Sequence, residues 1–399
     1  MRIRKTMWNN DAEPILVIMI ILIVLGTINV FSSSFVIATT DYENPYYFLI
    51  RHAVWLVVGF IAFVICRKVN YRRWRDWMPM LLIGMILALA AVLVVGMSVN
   101  GARRWLGVGP LSFQPAEFAK LVSLMLAAAI LSVQVKAGRP ASVMNLQFAL
   151  IMLMAGLTEL EPDMGTACII LGVPLIMAFV VGMTPAMTKG VLLAIPLGVV
   201  GLITLQPYRL NRVRIMLDPW SDAQGIGYQT VQSLSTIGSG GFWGMGLGDG
   251  VSKYEYLPEA HTDFAFAIFC QEHGYVGALM VFLLFALLIF FCVRIANRAA
   301  DEFGQILAMG IMLLILGQAL ANLAMVGGMF AVVGVPLPFI SYGGSSLLVT
   351  MIAMGMLLNI CDHGRAPDYG DAAGRKTEAV KGKPGQEAAS SRPQLRLVK

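Results

Sequence analysis

The chain has 399 residues, 58% of them hydrophobic and only 13% charged, with a mean hydropathy of +0.74. A water-soluble domain carries about 25% charged residues, so this composition cannot coat a solvent-exposed surface. A soluble enzyme, a disordered scaffold and a secreted disulfide module are excluded; an all-α integral membrane protein with many crossings fits.

Spanning a bilayer takes about 20 apolar residues per helix. Such runs predict ten transmembrane helices, near 14–36, 51–66, 77–97, 115–134, 145–160, 165–183, 190–206, 264–293, 304–326 and 345–361. The first run is too long for a cleaved signal and lacks a small-residue cleavage site, so it reads as a signal anchor. Ten crossings put both termini on one side. With that side cytoplasmic, it collects Arg2, Arg4, Lys5, the cluster at 67–75, Lys136, Arg139, Lys189, Arg294, Arg298 and the tail. The outer face receives Arg51, Arg103, Arg104, Arg209, Arg212, Arg214 and Lys253. The balance obeys the positive-inside rule, and the outer cations that oppose it are functional candidates.

The chain thus divides into a cytoplasmic N-terminus (1–13), a membrane domain (14–360) and a flexible cytoplasmic tail (361–399). The tail is rich in Gly, Ala, Ser, Pro and charge, and holds half of the net charge of +6. The basic balance reads as topology and headgroup attraction; without aromatic–basic interleaving, nucleic acid is not an expected partner. Five cysteines stand singly, with no CxxC and no HExxH, which argues against structural zinc or haem.

Two outer loops stand out. The first, 98–114, carries Asn100-Gly101-Ala102-Arg103-Arg104-Trp105. The second, 207–262, is the one long connection; it holds aromatic residues throughout, with helical patterning near 208–217 and 228–237. Within it, Gly244, Gly246, Gly248 and Gly250 alternate, which predicts a tight backbone turn rather than a dinucleotide fingerprint. The segment 334–346 contains two prolines and a glycine pair that cannot continue a helix, so a re-entrant element is expected there.

Ionisable groups at membrane depth are costly and so mark candidate sites. Glu117 and Lys120 open the fourth span, spaced to share one helix face. They either pair with each other or present Lys120 to an anionic substrate. Glu159, Glu161 and Asp163 form an acidic cluster at the next outer end, where Asp163 can cap the following helix or join Lys120. Arg209 and Arg212 share a helical face beyond the seventh span, suited either to lipid headgroups or to a phosphate or pyrophosphate. Asp263 marks the junction of the long loop with the eighth span, where a carboxylate within reach of a sugar hydroxyl can act as general base. A plain helix-terminal charge is the alternative.

Five segments together resemble the SEDS family of bacterial peptidoglycan glycosyltransferases, over roughly residues 14–360. They are Asn100-Gly-Ala-Arg-Arg-Trp105, Gln114-Pro-Ala-Glu-Phe-Ala-Lys120, Pro162-Asp-Met-Gly-Thr166, Glu255-Tyr-Leu-Pro-Glu-Ala-His-Thr-Asp-Phe264 and Pro338-Phe-Ile-Ser-Tyr-Gly-Gly-Ser-Ser346. The fourth is most similar to the form in the family's division branch. Met164 and Ala265 depart from the usual Leu and Ile, without removing a polar group.

The resemblance implies that Asp263 is the essential outer-loop aspartate and that Arg103, Glu117, Lys120, Asp163 and Arg212 have functional roles. It implies polymerisation of lipid II into β-1,4 glycan strands with release of undecaprenyl pyrophosphate. It further implies a class B penicillin-binding protein and other division proteins as partners, and the inner membrane at the septum as location. No nucleotide is needed, and a divalent cation held by the pyrophosphate is compatible with the chemistry. A lipid II transporter and a structural division scaffold are the competing readings; candidate charges clustered at outer helix ends favour chemistry on the outer face.

Overall fold

The computed structural model describes residues 10–99, 102–108, 111–204, 207–254 and 257–364. The N-terminal arginines, most of the tail, the pairs Asn100-Gly101 and Glu255-Tyr256, and the Arg209 and Arg214 side chains lie outside the described residues.

Each of the ten apolar runs forms a helix. In chain order the helices are α1 (Ala12–Tyr42), α2 (Tyr47–Lys68), α3 (Arg72–Asp76), α4 (Met78–Val95), α5 (Pro115–Lys136), α6 (Leu146–Leu160) and α7 (Met164–Val181). There follow α8 (Pro185–Thr204), α9 (Pro207–Leu217), α10 (Tyr228–Ser239), α11 (Ala265–Arg298), α12 (Glu302–Val326) and α13 (Gly344–Asp362). Eight are long and apolar enough to cross a membrane, and α6 and α8 are shorter apolar helices. The protein is a multi-pass membrane protein.

The most enclosed helices are α5 and α13. Small residues let them sit there: Ala116, Ala119, Ala127 and Ala128 are buried along α5. On α13, a Cβ at Gly355 would stand 2.6 Å from the Phe63 carbonyl of α2. Close backbone approach replaces the hydrophobic driving force that lipid cannot supply.

Ion pairs close the end of the bundle where α2, α11 and α13 finish. Asp11 pairs with Arg294 and Arg298, Arg67 with Asp362 at 3.0 Å, and Arg72 with Asp301 at 2.6 Å. The Asn359 amide donates to the Arg67 carbonyl and accepts from Tyr71 N, satisfying groups at the α2 terminus.

At the other end, the loop 98–114 is not irregular. It forms a small antiparallel sheet, β1 (Met97–Val99), β2 (Ala102–Val108) and β3 (Leu111–Phe113), in that spatial order. The sheet departs from the purely helical architecture expected from the sequence. Its sequence signal is present in Asn100-Gly101, a dipeptide that favours tight hairpin turns.

The long segment after α8 contains α9 and α10 and then the glycine run, where Gly244, Gly246 and Gly248 have positive φ. That run is wedged into a break in α11. Gly274 adopts φ 65° and ψ −164°, which interrupts the helical ladder. The exposed groups find partners in the loop: Met245 N donates to Gln271 O at 2.9 Å and Gly246 N to Glu272 O at 3.1 Å. In return, Tyr275 N donates to Gly241 O at 3.0 Å. An interrupted helix is tolerated in a membrane protein only where the freed backbone groups are paired in this way.

Chain 331–343, between α12 and α13, is non-helical and packed among helices. A Cβ at Gly26 of α1 would meet the Phe339 carbonyl at 1.8 Å, and one at Gly165 of α7 the Val333 carbonyl at 2.3 Å.

A Cβ at Gly274 would lie 2.3 Å from Gly244 N. Gly274→Val is therefore expected to destabilise the protein by about 1–3 kcal/mol, through strain at positive φ and loss of the wedge. A lowered thermal midpoint by intrinsic fluorescence, with Gly84→Val unchanged as control, checks this; a Cβ at Gly84 meets nothing within 4 Å.

Candidate functional site

Asp263 lies in the turn before α11, and its placement is fixed from α12. The Asn322 side-chain amide donates to the Asp263 carbonyl at 2.7 Å and to the Val335 carbonyl at 2.8 Å. One amide thus holds the loop before α11 and the non-helical 331–343 segment side by side. The Asp263 carboxylate faces Gly334: a Cβ there would stand 3.5 Å from Oδ2. No hydrogen bond engages this carboxylate among the described residues, and the residue is only partly buried. Burial, followed by the nearby Glu259 and Asp163 carboxylates, pushes its pKa up to about 7, against the opposing charge of Arg104. The helix dipole favours ionisation here, but desolvation outweighs it.

Asp163 is occupied. Its Oδ1 accepts Thr166 N at 3.1 Å, which caps α7, and its Oδ2 accepts the Gln114 amide at 2.9 Å. Gln114 N in turn donates to Ser345 Oγ at 3.0 Å. This chain of bonds gathers the N-termini of α7, α5 and α13 around the start of α11. Four positive helix ends therefore point into one region, an arrangement suited to carboxylates and to anionic ligands.

Lys120 pairs with Glu117 at 2.7 Å and its side chain is fully enclosed. It faces its own helix neighbour rather than open space or Asp163. Glu117 Oε2 is buried without a hydrogen-bond partner among the described residues, and the Glu117 charge acts on Asp263. The pair lies directly beneath the carboxylate cluster.

Neighbouring arginines divide their tasks. Alternation along β2 turns Arg103 outward, exposed, whereas Arg104 reaches the site and donates to the carbonyls of Glu161 and Pro162. Arg103 was the sequence candidate; Arg104 is the one that acts on Asp263 and on Glu161. The loop residue Glu161 is buried, and neither carboxylate oxygen has a hydrogen-bond partner among the described residues. Desolvation and Asp163 push its pKa up to about 8, so it is mostly protonated at neutral pH. Sequence spacing could signal neither feature, because both depend on which side chain a strand or turn directs inward.

Arg212 on α9 donates to the Val332 carbonyl and lines a cavity of about 340 Å³ with Ile215, Tyr228, Pro258 and Phe330. Val332 is two residues from Gly334, and Pro258 adjoins Glu259. The cavity therefore abuts the Asp263 loop from the side of the long outer segment. Arg209 lies on α9 too, its side chain outside the described residues. The His261 ring packs against Phe48 at a tilt of 50°, with centroids 4.6 Å apart, and burial lowers its pKa. Among the described residues no group of three or more His, Cys, Asp or Glu is arranged to hold a metal ion.

Comparison with known proteins agrees with this architecture. The family described as FTSW_RODA_SPOVE, cell cycle protein, matches residues 13–366. The chain is 37% identical to stage V sporulation protein E of Bacillus subtilis (strain 168) over 359 residues, 88% of this chain and 97% of that protein. It is 38% identical to the probable peptidoglycan glycosyltransferase FtsW of Trichlorobacter lovleyi, covering 88% of this chain and 93% of that one. A solved structure described as the structural coordination of polymerization and crosslinking by a peptidoglycan synthase complex aligns with a TM-score of 0.72 at 31% identity. That alignment covers 87% of this chain and 96% of the other. Thermus thermophilus rod shape determining protein RodA aligns with a TM-score of 0.63 at 26% identity, over 87% and 95% of the two chains. The fold, the family match and the extent of these identities lead to one conclusion: the chain belongs to the SEDS family, the FtsW, RodA and SpoVE group.

Proposed function

We propose that this chain, a peptidoglycan glycosyltransferase, polymerises lipid II on the outer face of the cytoplasmic membrane. The observation that carries the reading is the Asp263 carboxylate: unpaired among the described residues, held near neutral pKa, and set in the loop whose Pro258 lines a cavity with Arg212. A base of that pKa is half ionised at neutral pH and matched to proton abstraction from a hydroxyl. Asp263 accepts the proton of the acceptor N-acetylglucosamine 4-hydroxyl as its oxygen attacks the donor anomeric carbon. The bond to undecaprenyl pyrophosphate breaks as the new bond forms. An α-linked donor and a β-1,4-linked product require a single displacement with inversion, which needs no covalent intermediate.

Charge growing on the leaving pyrophosphate is met by Arg212 and Arg104 and by the converging helix N-termini. Lys120 holds Glu117 in place below the site and is a positioning residue in this scheme. Arg103 and Arg209 are left to contact headgroups or the growing strand.

Both termini cytoplasmic, action at the division septum and a class B penicillin-binding protein as partner complete the reading. The orientation rests on the basic clusters, the septal role on the division-type motif that ends at Asp263, and the partner on the similarity to the synthase complex. A flippase would need charged groups open to both faces. At the far end Asp11, Arg67 and Asp301 are closed into ion pairs, and the charges left open there, Arg75, Asp76, Lys136 and Glu302, are exposed rather than set within the bundle.

The direct test is lipid II polymerisation by purified protein, with and without the cognate transpeptidase, whose own activity is blocked. Asp263→Asn is expected to lower turnover by about a hundredfold or more. Equal glycan from both would remove Asp263 from the chemistry. Wild-type turnover should rise with pH through about 7, because the ionised form is the base. Glu259→Gln removes a like charge, lowers the Asp263 pKa and should move that rising limb to lower pH; an unmoved limb would refute the coupling.

Stability should run the other way. A carboxyl whose folded pKa lies above its unfolded value of about 3.9 costs stability once it ionises. Asp263→Asn is expected to raise the thermal midpoint at pH 8 and leave it nearly unchanged at pH 4.

A further inference from the structure

At the end of the bundle opposite Asp263, two cavities adjoin. The larger, about 600 Å³, is apolar and lies between α4, α5 and α6, with Leu82, Leu126 and Ala129 among its walls. The smaller, about 250 Å³, is lined by charged residues of α3, the end of α5 and the start of α12. Arg75 and Val133 line both, so the two are continuous across the Arg75 side chain. The larger volume falls in the range of small-molecule sites, about 300–1,000 Å³.

The charges in the smaller cavity separate into two groups. Arg72 and Asp301 neutralise each other at 2.6 Å, and Asp301 is further engaged by Tyr71 Oη at 3.0 Å and Gly304 N at 2.8 Å. Arg75, Asp76, Lys136 and Glu302 remain: all are exposed, all line the cavity, and none has an ion-pair partner among the described residues. Helix dipoles account for two of them, since Lys136 ends α5 and Glu302 begins α12. Arg75, in the last turn of the five-residue helix α3, gains little from so short a dipole, and Asp76 at the same end is opposed by it. Two open cations and two open anions around one cavity, attached to an apolar slot at the membrane, complement a ligand with both signs of charge and a hydrocarbon chain.

We propose that these joined cavities bind a zwitterionic aminophospholipid of the bilayer. An acyl chain fills the slot beside Leu82 and Ala129. The phosphate is held by Arg75 and Lys136, and the primary ammonium by Asp76 and Glu302. An anionic headgroup lacking an amine leaves both carboxylates facing its charge without compensation. A choline headgroup carries the positive charge but has no N–H to donate to them. The selectivity therefore comes from the ammonium donors, while the phosphate and chain supply affinity common to all three lipids.

The test uses the full chain, purified and delipidated, then equilibrated with equimolar phosphatidylethanolamine, phosphatidylglycerol and phosphatidylcholine. Native mass spectrometry reads the lipid retained. Ethanolamine lipid should exceed each of the others by about tenfold, as one charge-assisted hydrogen bond allows. Asp76→Asn with Glu302→Gln should reverse the preference towards the glycerol lipid. Ala129→Phe, which fills the slot without touching a charge, should reduce retention of ethanolamine lipid. Arg73→Ala, on α3 but outside both cavities, should leave it unchanged. Equal retention of the three lipids, a wild-type preference for phosphatidylglycerol, or selectivity unaltered in the Asp76→Asn/Glu302→Gln protein would overturn the proposal. Elution profile and helical content confirm folding of each variant; both substitutions are near-isosteric and exposed, so lost selectivity in a folded protein reads on the site.

Discussion

The whole site depends on four helix N-termini being brought to one place. Helices α5, α7, α11 and α13 start around the same small region, joined by the Asp163–Gln114–Ser345 chain and by the Asn322 amide. Without their positive ends, the crowding of Asp263, Asp163, Glu117 and Glu161 would be hard to sustain. Each of these carboxylates is handled differently. Asp163 is spent on a helix cap, Glu117 is neutralised by Lys120, Glu161 is held protonated by burial, and Asp263 keeps its proton affinity near neutrality. One electrostatic surrounding thus yields three structural acids and one poised base.

Holding that arrangement takes backbone in unusual conformations. Glu259 at φ 54° and Phe339 at φ 66° flank the Asp263 loop in sequence and in the inserted 331–343 segment. Strained residues persist only where their surroundings over-determine them. Here those surroundings include the Thr262 hydroxyl on Glu259 at 2.7 Å and the close contact of Gly26 with the Phe339 carbonyl. The break at Gly274 serves the same end from further along α11, because it fastens the glycine run of the long outer segment to the helix that carries Asp263. Lys253, Glu272 and Ser32 form a buried cluster beside it, with Lys253 to Glu272 at 3.1 Å. The outer segment is therefore anchored to α1 and α11, not laid over them.

Much of this was legible in the residues. Apolar run length alone located ten helices, eight of them long and apolar enough to cross a membrane, because in lipid a helix satisfies its own backbone polar groups. Helical patterning also marked α9 and α10, and the 334–346 prolines and glycines marked chain that could not be helical. The charged residues were visible as candidates, but their partners were not. Whether Arg103 or Arg104 faces the site depends on strand register, whether Lys120 meets Glu117 or a ligand depends on how α5 is enclosed, and the unpaired state of Glu161 depends on a turn. The small sheet was missed because three strands of three to seven residues leave almost no periodicity to detect.

The distribution of closed and open charges separates the two ends of the molecule. At the far end Arg67, Arg72, Arg294 and Arg298 are each matched to a carboxylate, which fixes helix ends, and the charges left open there, Arg75, Asp76, Lys136 and Glu302, are exposed. At the Asp263 end the matching is incomplete: Asp263 has no hydrogen-bond partner among the described residues, while Arg212 donates to the Val332 carbonyl at the edge of a cavity. A group left unpaired beside a cavity costs folding free energy and keeps its binding capacity for a ligand. Such asymmetry is what a one-sided reaction requires. A lipid-linked sugar can approach from one membrane face, give its proton to a base that is only half ionised, and leave its pyrophosphate among positive helix ends, without any part of it crossing the bundle.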